Sequence, residues 1–274
     1  QTFDVGADAK ARAPLADVLR AFDAAGGRVV DSSPMYGSAE SVVGDLAAGL
    51  GLHARLFFAT KVWTSGRAEG IRQMEQSFRR FRVERMDLMQ VHNLVDAATH
   101  LKTLEGWKKE GRVRHVGVTH YAASAHAEVE RALAAWPCDF LQINYSLAEP
   151  EAAERLLPMC AERGIAVVVN RPFAEGAMFR HVRGRPLPDW IAPLGVKTWA
   201  QYFLKWILGH PAVTCVIPAT SKAEHLADNL ARPENRHDHI AAIFLLDMHL
   251  HGAVSDDVRG IAVCVGRHES CAGR

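Results

Sequence analysis

The sequence lacks both a long apolar segment and a surplus of charge. Hydrophobic residues make up 49% of its 274 residues, yet the longest late apolar run, residues 240–246, is far shorter than the roughly 20 residues that cross a bilayer. The 32 basic and 31 acidic residues give a net charge of +1, which creates no field that would gather nucleic acid or anionic lipid. We therefore expect a soluble, cytoplasmic protein that binds neither membranes nor nucleic acid. Composition leaves its oligomeric state open.

Cysteine is also scarce, and its spacing excludes the usual disulfide and zinc patterns. The five cysteines are odd in number, and no two are separated by only two residues. They are Cys138, Cys160, Cys215, Cys264 and Cys271. We expect reduced thiols and no metal site. The chain begins with Gln1 rather than Met, so a cleaved export signal and a shortened first strand both stay open.

Short apolar runs alternate with longer amphipathic segments from residue 28 onward. The short runs are rich in β-branched residues, which is typical of buried parallel strands, and the long segments repeat their apolar residues at helical spacing. The predicted strands are residues 28–31, 56–61, 86–91, 113–119, 140–144, 165–170 and 214–217. The predicted helices are residues 15–25, 39–50, 70–80, 97–110, 123–135, 151–163, 198–209 and 222–230.

This alternation predicts an α/β fold, a (β/α)8 TIM barrel spanning residues 1–232. A helix precedes the first visible strand, so we expect an eighth strand at or before residues 1–5, truncated if it begins before residue 1. An open doubly wound sheet has the same alternation, but no G-x-G-x-x-G motif follows any strand. Residues 233–274 do not continue this alternation of strand-like and helix-like segments. We predict an atypical tail there, packed on the barrel or poorly ordered.

Ionisable residues stand at the ends of three successive predicted strands. Asp31 ends the first, Lys61 ends the second, and His92 follows the third. The carboxyl ends of parallel strands share the face of a barrel on which active sites lie. Taken singly, each residue has a structural explanation: Asp31 as a turn cap, Lys61 as a solvated cation and His92 as a packed imidazole. Their coincidence, with Tyr36 on the loop after Asp31, predicts one site.

These four residue types suit proton transfer to a carbonyl oxygen. A tyrosine phenol ordinarily has a pKa of roughly 10, so Tyr36 needs a nearby cation to work near neutrality. Lys61 supplies that cation, and Asp31 supplies its counter-ion. His92 is then available to orient the substrate oxygen. No thiol or serine–histidine pair indicates acyl transfer, and no carboxylate cluster indicates a catalytic metal, so a redox reaction needs an external electron carrier.

The segment from Asp31 to Gly44 resembles the signature of the aldo-keto reductase family: an Asp, a Tyr-Gly pair, a Glu and a Gly, here at positions 31, 36–37, 40 and 44. The similarity continues through ATKV, DLMQVH, GRVRHVGVT, LQINY, RPF and VIPATS, and covers about residues 1–232. Several spaced motifs in the right order are far more specific than any one of them. The resemblance implies a catalytic tetrad of Asp31, Tyr36, Lys61 and His92.

The resemblance also implies which residues bind a nicotinamide cofactor. Thr119, His120 and Gln142 stand where family members hold the carboxamide. The positions for the rest of the cofactor are Asn170, Arg171, Phe173, Pro218, Ala219, Thr220, Ser221, His225 and Asn229. Backbone amides at a helix start and an arginine are suitable phosphate ligands.

Four positions depart from the family pattern. His120 replaces the usual Asn, and Asn170 replaces an aromatic that stacks on the nicotinamide in many members. Ala219 and His225 stand where many NADPH-preferring members have Lys and Arg. The residues available to substitute for that lost charge and hydrogen bonding are Thr220 and Lys222. We expect NADPH as the cofactor, with NADH as the alternative.

Together these features predict NAD(P)H-dependent reduction of small aldehydes or ketones to alcohols. Tyr36 is the predicted general acid, assisted by Lys61 and Asp31, and His92 orients the carbonyl. One alternative is a regulatory protein that binds the cofactor with little turnover. Another is a barrel lyase with a Schiff base on Lys61, which is disfavoured because that chemistry needs a neutral lysine and Asp31 keeps it charged.

Overall fold

Parallel strands form one sheet in the computed structural model, which describes residues 3–231, 260–261 and 263–264. The strands are β1 (Val29–Asp31), β2 (Phe57–Val62), β3 (Met86–His92), β4 (Val113–Thr119), β5 (Phe140–Asn144), β6 (Ala166–Asn170), β7 (Val213–Val216), β8 (Gly260–Ile261) and β9 (Val263–Cys264). The helices are α1 (Ala9–Ala24), α2 (Ala39–Gly49), α3 (Arg67–Phe81), α4 (Ala97–Lys109), α5 (His126–Ala135), α6 (Leu156–Arg163), α7 (Ala177–His181), α8 (Trp199–Leu208) and α9 (Ala223–Leu230).

The sheet follows the order of the chain from β1 to β7, and each strand pairs in parallel with the next. At its two sides β8 pairs with β7 and β9 pairs with β1. Because β8 and β9 are separated only by residue 262, the two sides of the sheet meet at neighbouring residues. The predicted α/β barrel is therefore confirmed, with helices following most of its strands.

The partner on the outer side of β1 is not the strand expected near the N-terminus. Residues 3–5 form no strand, and residues 1–2 lie outside the described part of the chain. Instead, Val263 and Cys264 align with Val30 and Asp31. An unpaired strand edge presents a row of donors and acceptors that any strand in suitable register can satisfy. The rest of 233–274 lies outside the described residues, so the division into barrel and tail remains a prediction.

The predicted helices are all present, and their ends differ where local hydrogen bonds decide them. Helix α1 begins six residues earlier than predicted, since the Asp8 side chain accepts a backbone N–H bond from its first turn. Two predicted helices begin instead as short 3-10 turns, Ala123–Ala125 and Glu151–Ala153. Ser38, which immediately precedes α2, makes no side-chain bond to that helix, and its hydroxyl instead donates to Asp4 at 2.8 Å.

Successive side chains along each strand point alternately outward and inward, and so contribute to two different apolar cores. Outward residues such as Val30 and Phe58 pack against the helices. Inward residues form a smaller cluster consisting of Val29, Phe57, Ala59, Leu88, Phe140, Ala166, Val168, Cys215 and Ile217. Two residues further along their strands, the same inward face carries the polar side chains of Asp31, Lys61 and Gln90. The barrel interior is therefore apolar below and polar at the carboxyl ends of the strands.

We predict opposite effects for two glycines of helix α2. A Cβ at Gly44 would lie 2.1 Å from the backbone oxygen of Arg80, because α2 and α3 touch there backbone to backbone, whereas a Cβ at Gly49 meets nothing within 4 Å. Gly44→Ala should lower the free energy of unfolding by about 1–3 kcal/mol through overpacking. Gly49→Ala should raise it by up to about 1 kcal/mol through helix propensity. Urea unfolding followed by circular dichroism measures both, and equal small gains would contradict the close contact.

Candidate active site

A buried ion pair joins the ends of β1 and β2. The Lys61 Nζ lies 2.6 Å from Asp31 Oδ2, and the two side chains are 1% and 2% exposed. Nζ also donates to the backbone oxygen of Ser32 at 2.7 Å. Burial removes both charges from bulk solvent, so each depends on the other for stabilisation. The predicted partnership of these two residues is present.

Two glutamines hold the second oxygen of the same carboxylate. Gln142 and Gln90 donate side-chain N–H bonds to Asp31 Oδ1 at 2.9 and 3.3 Å. Sequence analysis assigned Gln142 to the cofactor and missed Gln90. The register of the strands could have identified Gln90, because it lies two residues before His92 on the inward face and pairs with Lys61 in the sheet. These amides keep the carboxylate oriented toward the lysine.

Tyr36 and His92 complete the cluster and are both buried, at 5% and 7% exposure. The Lys61 ammonium lies 5.8 Å from the centre of the Tyr36 ring. The rings of Tyr36 and His92 meet edge to face with centroids 6.4 Å apart, and the Trp63 ring lies 6.3 Å from that of His92. The four residues predicted as a tetrad thus lie together. A cation beside a phenol stabilises the phenolate, which makes proton donation easier.

A second buried network holds β2 against the helices. Glu40, which is fully buried, accepts a bond from the Thr60 hydroxyl at 2.6 Å. Its other oxygen lies 3.1 Å from Nη1 of Arg80 on α3. Since Thr60 immediately precedes Lys61, this network fixes the strand end that carries the lysine. Glu40 therefore has a structural contact rather than a position in the cluster.

The residues predicted to hold the nicotinamide lie beside this cluster. Thr119, Gln142 and Asn170 are each at most 2% exposed. Asn170 donates to the backbone oxygen of His120 at 3.0 Å, and Thr119 donates to Gln142 at 3.5 Å. Burial lowers the pKa of His120, and its Nδ1 accepts backbone N–H bonds from the next two residues. Because Nδ1 accepts these two bonds, the ring proton of the neutral imidazole lies on Nε2.

Five of the other predicted cofactor residues line one cavity of about 470 Å³. They are Phe173, Ala219, Thr220, His225 and Asn229. The remaining lining residues, which sequence analysis missed, are Phe179, Thr198, Trp199, Ala200 and Asp228. Pro218 and Ser221 flank Ala219 and Thr220 in the chain, the first buried and the second exposed. The cavity is thus formed by the loop after β7 with helix α9, by the segment from the end of β6 through α7, and by the start of α8.

Arg171, predicted as a phosphate ligand, already has partners. Its Nη1 donates to the backbone oxygen of Tyr121 at 3.0 Å. Its Nη2 lies 3.6 Å from Glu149 and 3.5 Å from Glu175. Two carboxylates near one guanidinium offset its charge, so it offers an anion less attraction than an isolated arginine. Sequence analysis did not anticipate these carboxylates.

Two kinds of feature are absent from the part of the chain that the structure describes. No group of three or more histidine, cysteine, aspartate or glutamate side chains there could hold a metal ion. No helix in the same residues is both long and apolar enough to cross a membrane. The tetrad residues lie at or just after the carboxyl ends of β1, β2 and β3, on the face of a barrel where active sites lie.

Comparison with known proteins assigns the family. The model of the Aldo/keto reductase family matches residues 2–238. The chain is 28% identical to methylglyoxal reductase YeaE of Escherichia coli over 237 residues, which cover 84% of this chain and 82% of that one. It is 28% identical to aldo-keto reductase str7 of Strobilurus tenacellus, with 78% and 74% covered. An aldo/keto reductase structure from Klebsiella pneumoniae, in complex with NADP and acetate, is 27% identical with a TM-score of 0.72 and 89% of each chain covered.

The chain belongs to the aldo/keto reductase family, since the family model matches most of its length. It is therefore an oxidoreductase that reduces carbonyl compounds with a nicotinamide cofactor, as the resemblance in its motifs implied. Another aldo-keto reductase structure from Klebsiella pneumoniae, in complex with NADPH, is 27% identical with a TM-score of 0.70, and the match covers 89% of this chain and 88% of that one. The predicted barrel is the fold of these relatives.

We predict that the Asp31–Lys61 pair is strongly coupled in stability. Lys61→Met leaves a buried carboxylate without its cation and should cost about 3–5 kcal/mol of unfolding free energy. Asp31→Asn leaves a buried ammonium and should cost a similar amount. Because the double variant buries no unpaired charge, it should cost clearly less than the sum. Urea unfolding of all four proteins gives the coupling, and simple additivity would contradict the pairing.

Proposed function

We propose that this protein reduces the carbonyl group of small aldehydes or ketones to an alcohol, with NADPH as the preferred cofactor and Tyr36 as the general acid. The observation that carries the proposal is the Lys61 ammonium 5.8 Å from the Tyr36 ring, held by Asp31 inside an apolar barrel. In such surroundings a fixed cation acts on developing negative charge much more strongly than it would in water.

The described residues fit a nicotinamide cofactor on two grounds. Beside the tetrad, the Asn170 Oδ1 is buried without a hydrogen-bond partner among the described residues, so it is available to a carboxamide N–H. Further out, Phe179 and Trp199 line the cavity near His225, which suits a planar base with polar edges. When bound, the reduced nicotinamide supplies a hydride to the carbonyl carbon.

The tetrad residues supply the proton and the alignment. In the proposed reaction Tyr36 and His92 hold the carbonyl oxygen by hydrogen bonds. As negative charge develops on that oxygen, the Tyr36 phenol donates its proton, and Lys61 stabilises the resulting phenolate. Asp31 keeps the ammonium in place and charged. The burial of all four side chains excludes water from the proton transfer.

The preference for NADPH rests on weaker charges than are usual at such a site. Ala219 contributes none. His225 lines the cavity and Lys222 precedes it by three residues in the chain, and their side chains are 60% and 62% exposed. Each is 3.9 Å from Glu224, which reduces their attraction for a phosphate. The Klebsiella pneumoniae relatives in complex with NADP and NADPH support the phosphorylated cofactor. We expect NADH to be accepted with moderately lower affinity.

Small carbonyl compounds are the proposed substrates. The Escherichia coli relative is named for methylglyoxal, a small 2-oxoaldehyde. The half-exposed Trp63 ring, beside His92, offers an apolar surface to a short carbon chain or an aromatic group. Methylglyoxal and substituted benzaldehydes are therefore suitable test compounds.

Tyr36→Phe tests the general acid. Loss of the phenolic proton should lower kcat at least about 100-fold, the usual scale for a general acid, and leave the Kd for NADPH within a few fold. Stopped-flow measurement of NADPH consumption with an aldehyde gives kcat, and fluorescence quenching gives Kd.

The matched control is Tyr145→Phe. Tyr145 is as buried as Tyr36, at 4% exposure, but stacks on Trp206 outside the tetrad. It should keep close to full turnover. A Tyr36→Phe protein that turns over normally while binding NADPH poorly would contradict the assigned role.

A further inference from the structure

Ser33 lies between the two groups proposed to hold the substrate oxygen. It belongs to the loop after β1 and is completely buried. Its hydroxyl oxygen lies 3.2 Å from His92 Nδ1, and its backbone oxygen accepts the N–H bond of Tyr36 at 3.0 Å. One residue therefore contacts both Tyr36, through its backbone, and His92, through its side chain. Nothing in the sequence motifs assigns Ser33 a role.

The direction of the Ser33–His92 bond follows from the hydroxyl proton. A buried hydroxyl must donate its proton or lose about 1–3 kcal/mol. Within the described residues, His92 Nδ1 is the one partner found for this hydroxyl. If Nδ1 carried a proton and donated it, the serine proton would have no acceptor there. The favoured arrangement is donation by Ser33 to an unprotonated Nδ1.

That arrangement determines the state of the imidazole. A neutral histidine carries one proton, so an unprotonated Nδ1 requires the proton on Nε2. The ring is also confined sideways, with Tyr36 at 6.4 Å and Trp63 at 6.3 Å between centroids. The hydrogen bond at Nδ1 and these neighbouring rings restrain the imidazole, whose N–H donor in this tautomer is Nε2.

We propose that Ser33 is a positioning residue that fixes His92 as the Nε2–H tautomer, so that a neutral imidazole N–H donates to the substrate carbonyl oxygen. This inference rests on the proposed function for its catalytic consequence. The tautomer itself does not depend on turnover. Ser33 acts through His92 and through the loop of Tyr36, and it touches no reacting atom.

Histidine nitrogen NMR tests the tautomer directly. Protein labelled with 15N-histidine is compared with His92→Gln to identify the His92 signals among the 14 histidines. We expect an unprotonated Nδ1 and a protonated Nε2 in the wild-type protein near neutral pH. Ser33→Ala should convert His92 to a mixture of tautomers. A wild-type His92 protonated at Nδ1, or an unchanged tautomer in Ser33→Ala, would overturn the proposal.

Steady-state kinetics test the consequence. Ser33→Ala should lower kcat or raise the aldehyde KM by about 3- to 10-fold, the scale of one hydrogen bond, while the Kd for NADPH stays constant. Ser33→Thr retains a hydroxyl and should restore both the tautomer and the rate. If its extra methyl group disturbs folding, Ser33→Cys, a weaker donor, should give an intermediate tautomer ratio.

Ser77→Ala is the control, because Ser77 is equally buried but its hydroxyl bonds the backbone of Gln73 within α3. It should leave both the His92 signals and the kinetics unchanged. The two claims fail in different ways. A wild-type protein with the expected tautomer but no aldehyde reduction would refute the proposed function alone. Normal reduction with the opposite tautomer would refute the role of Ser33 alone.

Discussion

A lysine and an aspartate paired inside an apolar barrel are the constraint on which the site depends. Removing two charges from water costs several kcal/mol each, and this cost is recovered only when the pair is close and its remaining hydrogen-bonding groups are satisfied. Here Lys61 also donates to the Ser32 backbone, and Asp31 accepts bonds from two glutamines. Burial and, to a smaller extent, the Asp31 charge raise the pKa of the Cys215 thiol, which belongs to the inward apolar cluster. The ion pair thus lies at the boundary between the apolar and polar layers of the barrel.

That boundary explains how a common barrel acquires a chemical site. The inward face of each strand continues from apolar to polar residues over two positions, so no special backbone is needed to bring the polar groups together. Unusual backbone appears in the loops that follow. Among the described residues, non-glycine residues adopt left-handed conformations in two of these loops. They are Asn93, Leu94 and Asp96 after β3, and Arg171, Ala174 and Glu175 after β6. Such conformations are more common at functional sites, where surrounding contacts hold them in place.

Much of the fold could be predicted from the sequence, because period-2 and helical patterns are local signals. All seven predicted strands exist with small shifts, since buried β-branched runs form strands wherever neighbours complete the sheet. The partner of β1 could not be located, because strand pairing across more than 200 residues leaves no local pattern. Serine is a residue type that favours helix N-caps, yet the hydroxyl of Ser38, just before α2, donates to a distant carboxylate, Asp4, a contact that leaves no local pattern either.

The part of the site that lies at strand ends could be predicted from the sequence. Asp31, Lys61 and His92 converge because parallel strands bring their carboxyl ends to one face. Gln90 was missed because an amide within a strand is recognised as functional only when its register beside Lys61 is known. Glu149 and Glu175 near Arg171, and the aromatic residues of the cavity, come from loops whose paths no periodicity describes.

The most direct test of the central claim is a two-stage measurement on the purified wild-type protein. Titration with NADPH and with NADH, followed by fluorescence quenching, gives both affinities. Addition of methylglyoxal or nitrobenzaldehyde then gives the rate of nicotinamide absorbance loss, with the alcohol product quantified by mass spectrometry. We expect tighter binding of NADPH than of NADH, and one alcohol formed for each cofactor oxidised. Binding of neither cofactor, or binding without alcohol from a broad panel of aldehydes and ketones, would contradict it.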